Sequence, residues 1–206
     1  MIFWEQISSK LTLAVMFKDS LFPENNANGP LYVKPLNNEI PWRKTPWRHS
    51  TGHFLFLDLV VPQDGLTFIA GGDFYRETSF TITQSDLNST PAFKNNFYLE
   101  PKSNYPFPAG LTVLRGKVRE TTGHGPVAKV LIEVEDPRAT VDYSEAEGGF
   151  YLLFPSIDQD DTIQPAQEVE ISVNITRDGF FEQRGVNFSV KKGSVTFVNV
   201  ELTKIS

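Results

Sequence analysis

The chain has 206 residues, of which 40% are hydrophobic and 21% are charged, and its formal net charge is -6. These proportions are typical of a folded globular protein and exclude a mainly disordered chain. The acidic balance argues against nucleic-acid binding, because that role needs a concentrated excess of Lys and Arg to neutralise phosphates. The chain has no cysteine, which excludes disulfides, thiolate nucleophiles and cysteine-ligated metals.

The start of the chain does not read as a signal peptide. Glu5 lies within its first residues, and an uninterrupted apolar core is missing. No run in the sequence approaches the roughly 20 apolar residues of a membrane helix. We therefore expect no membrane insertion. The compartment stays open, with the cytoplasm slightly favoured.

Apolar and polar residues alternate through most of the chain, which predicts strands with one buried face. This alternation occurs first at residues 11–17, returns at 128–134 and is clearest at 169–175. Residues 53–59 are apolar at almost every position, which predicts a central strand covered on both faces. Because Gly, Pro and Asp-Gly turns separate these short runs, we expect an all-β sandwich or barrel.

The order of these patterns repeats in the two halves of the chain. The corresponding segments are 11–17 and 112–118, 52–56 and 149–154, 66–70 and 169–175, 80–82 and 186–188, and 97–99 and 197–202. The repeat spans about half of the chain, whereas the units of a solenoid have about 20 to 50 residues. It therefore indicates a duplicated domain.

Residues 101–110 separate the two halves and contain three prolines. Because proline cannot donate a backbone hydrogen bond, we predict a linker here, between a domain at residues 1–100 and a second at 111–206. Tyr105 and Phe107 are too apolar for a freely solvated tether. We expect them to dock between the domains.

Three segments of the second half carry a family pattern. They are residues 114–118 with the form Gly-x-Val, 125–130 with a Pro-Val turn, and 145–152 with a Gly-x-Phe that enters the next strand. On these segments, residues 111–206 resemble the carboxypeptidase regulatory-like domain family, and the first half resembles a more divergent copy. The pattern departs from the family at Lys129, where a small residue is usual, and at Glu147-Gly148.

The resemblance implies a fold and a role. The fold is all-β, with two tandem transthyretin-like sandwich domains of antiparallel strands in a Greek-key, immunoglobulin-like arrangement. This sandwich is reused for many roles, and regulatory-like copies are commonly accessory domains. The resemblance therefore favours a non-catalytic binding or structural module that mediates protein–protein contacts in a larger assembly.

No catalytic, cofactor or metal site is recognised in the sequence. The His-x-x-Glu pattern that begins a carboxypeptidase metal site is absent, and so are the Gly-x-Ser-x-Gly elbow and the phosphate-binding loop. The acidic residues at 158–161 lack the glycine and the glutamate of a calcium loop. We expect a protein that is not an enzyme and needs no cofactor. A hydrolase with an unrecognised site is the less favoured alternative.

The most unusual segment is 41–49, where Pro-Trp-Arg occurs twice. Trp and Arg are the preferred hot-spot residues of protein interfaces, and Trp faces stack on sugar rings. Two tryptophans on a proline-rich connection would equally cap the open end of a sandwich, with arginine stems over the rings. Both interpretations stay open.

The candidate binding surface consists of Trp42, Arg43, Trp47, Arg48 and Tyr105. A protein is the expected partner. The alternative is a carbohydrate-binding module, in which Tyr75 joins Trp42, Trp47 and Tyr105 as a stacking platform. Homo-oligomers through sheet extension also remain open, because the edge strands of a sandwich invite pairing.

Overall fold

The computed structural model describes residues 10–36, 46–88, 93–134 and 139–205, with the backbone alone at 93–95. By its internal contacts the chain separates into two compact units, Met1–Pro101 and Lys102–Ser206. Helix in the described residues is limited to two short segments, α1 (Gln84–Asn88) and α2 (Pro155–Asp158). Neither has the length and apolar character needed to cross a bilayer.

The first unit has seven strands in its described residues. They are β1 (Leu11–Asp19), β2 (Leu31–Pro35), β3 (Trp47–Arg48), β4 (Phe54–Leu57), β5 (Leu66–Gly72), β6 (Thr78–Ile82) and β7 (Phe93–Leu99). One sheet has the order β3-β4-β1-β7, and the other has the order β2-β5-β6. Strand β1 pairs antiparallel with β4 and parallel with β7.

Phenylalanine rings from both sheets form the core of the first unit. The centroids of Phe17 on β1 and Phe80 on β6 are 5.7 Å apart, and those of Phe56 on β4 and Phe68 on β5 are 5.1 Å apart. Each pair joins strands of different sheets, so the two sheets pack face to face. The expectation that β4 is covered on both faces is wrong: Phe56 is buried but Leu55 is only half-buried. Leu55 points to the outer face, where no second layer of described residues covers it fully.

The second unit also has seven strands in its described residues. They are β8 (Val113–Glu120), β9 (Leu131–Val134), β10 (Asp142–Tyr143), β11 (Gly149–Leu153), β12 (Glu168–Thr176), β13 (Gln183–Lys191) and β14 (Val195–Leu202). The sheet orders are β10-β9-β12-β13 and β11-β8-β14. Both sheets contribute to one buried apolar cluster, which includes Leu114, Val118, Ile132, Phe150, Leu152, Val173, Ile175, Val190, Val200 and Leu202. The second unit is therefore a sandwich with its own core.

The two units share one pattern of strand pairing. In each, the first strand pairs antiparallel with the fourth and parallel with the seventh. The fifth strand pairs antiparallel with the second and the sixth. The third strand differs, because β3 pairs with β4 whereas β10 pairs with β9. Segments matched by the sequence repeat lie on strands at the same position in both units, so the repeat has a structural counterpart.

The predicted all-β sandwich is confirmed, with one correction to strand direction. The pairs β1–β7 and β8–β14 are parallel, whereas the other pairs among the named strands are antiparallel. The first and last strands of a unit are far apart in sequence, so no tight hairpin turn forces them to run in opposite directions. The alternation of apolar and polar residues in a sequence does not show whether two strands pair in the parallel or the antiparallel direction.

The proline-bearing segment after residue 101 packs on the second unit. The Ser103 backbone N–H donates to Glu145 Oε1 at 2.6 Å. The ring centroids of Tyr105 and Phe107 are 5.1 Å apart, and those of Phe107 and Tyr151 are also 5.1 Å apart. Residues 103–107 thus belong to the packing of this unit. The domain limits 1–100 and 111–206, with a linker at 101–110, stay a prediction.

Candidate functional site

The described part of the Pro-Trp-Arg segment is the short edge strand β3. Trp47 pairs with Leu55 and Arg48 pairs with Phe54. The Arg48 Nη1 group donates to the Gly29 carbonyl at 2.9 Å, and its guanidinium lies 5.8 Å from the Phe54 ring centroid. Arg48 therefore has partners within its own unit. Trp42 and Arg43 lie outside the described residues.

Both residues of this strand are exposed, and Trp47 is 62% exposed. Its described ring neighbour is His49, at 5.9 Å between centroids in a T-shaped arrangement. Thr51 Oγ1 lies 2.9 Å from both His49 Nδ1 and His53 Nδ1, which orders the turn that follows β3. A ring this exposed does not seal the core, so the cap interpretation does not suit Trp47.

Two tyrosines that the sequence offers as stacking platforms are buried instead. Tyr105 is 8% exposed and packs against Phe107. Tyr75 is fully buried, and its hydroxyl donates to Asp19 Oδ2 at 2.8 Å. Neither ring is exposed, so neither serves as a stacking platform. Trp47 and Arg48 belong to the first unit and Tyr105 to the second.

A surface that the sequence analysis missed lies on the outer side of β8 and β14. We call it the β14 face, and it consists of Arg115, Lys117, Arg119, Val195, Phe197, Asn199 and Glu201. These odd-numbered residues project outward, because the even-numbered Val118, Val200 and Leu202 are buried in the core. Phe197 is 67% exposed, and the Arg115 Cζ atom lies 5.2 Å from its ring centroid. A cation is thus stacked on an exposed phenyl ring.

Arg115 is partly shielded from solvent. Burial lowers the pKa of its guanidinium below the ordinary value, and the negative charge of Glu145 opposes that shift. The Glu145 carboxylate also accepts from the Ser103 backbone N–H at 2.6 Å and from the Ser103 hydroxyl at 3.1 Å. Because an arginine side chain keeps its proton in proteins, Arg115 carries its charge at neutral pH.

The outer edge of β14 has no paired strand over residues 195–199 in the part of the chain that the structure describes. Val113 N–H donates to Ser194 O, and Thr121 N–H donates to Leu202 O, so the even-numbered residues of β14 face β8. The backbone groups of Val195, Phe197 and Asn199 therefore point away from β8. Among the described residues, no strand pairs with them on that side. A row of open backbone groups of this kind is a template for another strand.

The opposite edge of the same sheet is closed. The Tyr151 N–H donates to Asp142 Oδ2 at 2.9 Å, and the Leu153 N–H donates to Thr140 Oγ1 at 2.8 Å. All five residues of β11 are buried. At β14, the Gln183 Nε2 group donates to Glu201 O at 2.8 Å, so the open stretch ends there. Strand addition to this sheet is therefore limited to the β14 side.

Sequence reasoning missed Phe197 because β14 has apolar residues at both odd-numbered and even-numbered positions. Val195 and Phe197 point outward, whereas Val200 and Leu202 point inward. Only the register with β8 decides which phase is exposed. The one sequence signal available was the run of cations at alternate positions, Arg115, Lys117 and Arg119, because such a run marks the outer face of β8.

The second unit also has an open cleft of about 430 Å³. It is lined by Lys129, Leu131, Thr176, Arg177, Asp178 and Glu182. Its cations and carboxylates balance, and Glu182 is already paired with Arg184 at 2.9 Å. The cleft therefore shows no preference for one class of ligand. In the described parts of the chain, no group of three or more His, Asp or Glu residues is placed to hold a metal ion.

Comparison with known proteins gives matches among solved structures only. No family profile matches the chain, and no curated protein matches it. The chain is similar to the minor pilin GBS52 of Streptococcus agalactiae, at 12% identity over 94% of this chain and 96% of that chain, with a TM-score of 0.33. It is also similar to the shaft pilin spaA of Lactobacillus rhamnosus GG, at 9% identity over 97% and 99% of the two chains, with a TM-score of 0.32.

A third similar structure is CBMbc, of family CBM26, from Eubacterium rectale, solved in complex with maltoheptaose. Its identity is 14%, the coverage is 93% of this chain and 92% of that chain, and the TM-score is 0.26. At TM-scores of 0.26 to 0.33 we draw no conclusion about this chain from the similarity. The fold assignment rests on the strand pairings.

One expectation needs correction beside these structures. The slight preference for a cytoplasmic location is wrong: the solved structures to which the chain is similar include a minor pilin and a shaft pilin. We withdraw that preference.

Proposed function

We propose that the chain is a non-catalytic module that makes protein–protein contacts in a larger assembly, through the β14 face of its second unit. The observation that carries the proposal is Phe197, which is 67% exposed on an edge strand with open backbone groups. An aromatic ring beside an arginine is the composition typical of interface hot spots. The resemblance to carboxypeptidase regulatory-like domains, as accessory domains, is part of this proposal.

The energetics of the β14 face favour a contact. Covering the Phe197 ring with a partner removes its apolar area from water, which contributes about 1.5–3 kcal/mol. The backbone groups of Val195, Phe197 and Asn199 would gain hydrogen bonds in the same step. Neither gain needs a change in the core of the unit, because the residues of the β14 face already project outward.

Phe197→Ala tests this function, with Phe181→Ala as the matched control. Phe181 is 58% exposed, lies in the same unit and is not on the β14 face. Each variant is used as bait in an extract of the organism that carries the chain. We expect the wild type and Phe181→Ala to capture the same protein and Phe197→Ala to lose it, with unchanged unfolding midpoints. Equal capture by all three baits contradicts the proposal.

Carbohydrate binding is the second candidate function, favoured by the exposure of Trp47. An accessible indole ring offers a flat face on which a sugar ring can stack. Trp47→Ala should lower stability by less than about 0.5 kcal/mol, because surface substitutions usually have effects of this size. On a glycan array this candidate predicts a ligand that the wild type binds and the variant does not. An array without any ligand would remove the candidate.

A further inference from the structure

The β14 face carries a line of cations next to its open edge. Arg115, Lys117 and Arg119 project outward at alternate positions of β8. Their neighbours in register on β14 are Phe197, Asn199 and Glu201, respectively. Of these three neighbours only Glu201 is acidic, so on the β14 side Arg119 has a carboxylate beside it whereas Arg115 and Lys117 have uncharged residues. The negative charge of Glu145 acts on Arg115 from outside β14. Two cations, Arg115 and Lys117, thus lie beside Phe197 and Asn199 of the edge strand. The whole chain, by contrast, has a net charge of -6.

The Arg115 guanidinium is directed toward the open edge. It lies over the Phe197 ring, at 5.2 Å from the centroid, and Phe197 is on the edge strand. None of the hydrogen bonds among the described residues uses this guanidinium, whereas the nearby acidic group, Glu145, accepts from Ser103. A guanidinium presents five N–H donors in a planar fork that matches a carboxylate. Its hydrogen-bonding capacity is therefore available to a partner.

We propose that the occupant of the β14 edge is an extended acidic segment of another protein, which adds as a strand and places a carboxylate beside Arg115 and Lys117. This inference rests on the proposed function and specifies its partner. A strand added to β14 would lie about 4.8 Å from it, so an outward side chain opposite Phe197 falls within reach of the stacked guanidinium. A cationic residue in the same place would meet like charge, which disfavours basic partners.

A second copy of the chain fits the edge less well. In self-pairing, the added strand is β14 itself, whose outward residues are Val195, Phe197, Asn199 and Glu201. Glu201 is the one carboxylate among these four residues. Its carbonyl already accepts from Gln183, so the backbone around it is engaged. Self-pairing would therefore leave the cations at Arg115 and Lys117 without a well-placed acidic partner.

The test uses three labelled peptides that alternate valine with glutamate, glutamine or lysine, each titrated against the full chain at low ionic strength. We expect the glutamate peptide to bind about tenfold more tightly than the glutamine peptide, because charge-assisted hydrogen bonds are roughly twice as strong as neutral ones. The lysine peptide should bind most weakly. Added salt should weaken the glutamate peptide most, because salt screens exposed charges.

Variants of the full chain identify the surface. Arg115→Gln should remove most of the preference for glutamate, and Phe197→Ala should weaken all three peptides. The matched control is Arg184→Gln, because Arg184 is an exposed arginine of the same unit on β13. It should bind the glutamate peptide like the wild type. If Arg115→Gln impairs folding, Lys117→Gln at an exposed position makes the same test.

Three results would overturn the inference. If all three peptides bind equally and Phe197→Ala weakens all of them, the edge accepts added strands without regard to their charge. The proposed function would still stand in that case. No binding of the glutamate peptide would reject the acidic segment, and the capture experiment would then decide the proposed function separately. Sedimentation that shows self-association lost in Phe197→Ala would make a second copy the occupant.

Discussion

Tyr75 and Asp19 form a buried polar pair in the first unit. The Tyr75 hydroxyl donates to Asp19 Oδ2 at 2.8 Å and accepts from the Asn28 backbone N–H at 3.2 Å. Asp19 Oδ1 accepts from the backbone N–H groups of Leu21 at 2.8 Å and Phe22 at 3.2 Å. A buried carboxylate is tolerated only where donors surround it in this way. The pair therefore fixes the chain that leaves β1.

Tyr75→Phe should lower the free energy of unfolding by about 1–3 kcal/mol, because it removes a donor from a buried carboxylate. Tyr98→Phe is the control, because Tyr98 lies half exposed on β7 and should change the free energy little. Denaturant unfolding of both variants measures the difference. Equal effects would contradict a structural role for the Tyr75 hydroxyl.

Sequence patterns could not identify the role of Tyr75. They offered it as a stacking platform in the carbohydrate-binding alternative. Its partner, Asp19, lies 56 positions away in the chain, and only the packing of the two sheets brings them together. Trp47 is the opposite case, because the Pro-Trp-Arg repeat pointed to this residue and the structure leaves it exposed.

Gly116 allows β8 to approach its neighbours in the second unit. A Cβ at this position would lie 2.6 Å from the Val198 carbonyl and 2.7 Å from the Phe150 ring. Val198 is on the adjacent strand β14, and Phe150 is on β11. The glycine therefore sits where both neighbouring strands contribute atoms, and it positions β14 at the edge of the sheet.

Gly116→Ala should destabilise the second unit by about 1–3 kcal/mol, because an extra methyl in a packed core forces backbone shifts. Gly125→Ala provides the control, since a Cβ there meets nothing within 4 Å. Thermal or denaturant unfolding should separate the two variants. A Gly116→Ala protein as stable as the control would show that the strands have more room than the structure indicates.

The elements were predictable to different degrees. Alternation placed β1, β8 and β12 correctly, because each has one buried face along most of its length. It could not give the parallel pairing of β8 with β14, since direction depends on connections and not on periodicity. It also could not show that Asp142 and Thr140 close the edge at β11, because those contacts come from side chains.

At the level of the whole chain, the repeat in the sequence matched the repeat in strand pairing. Each unit builds its core from its own two sheets, with phenylalanine contacts in the first and an aliphatic cluster around Phe150 in the second. The candidate surface was harder to predict. Its members come from β8 and β14, which lie at opposite ends of the second unit in sequence and meet only in the folded sheet.

The most direct measurement is denaturant unfolding of two fragments, residues 102–206 and residues 111–206. If the second unit has an independent core, fragment 102–206 unfolds in one cooperative transition. Fragment 111–206 should be less stable, because it lacks the Ser103 hydrogen bonds to Glu145 and the packing of Phe107 on Tyr151. Absence of a cooperative transition in fragment 102–206 would contradict two separately folded cores.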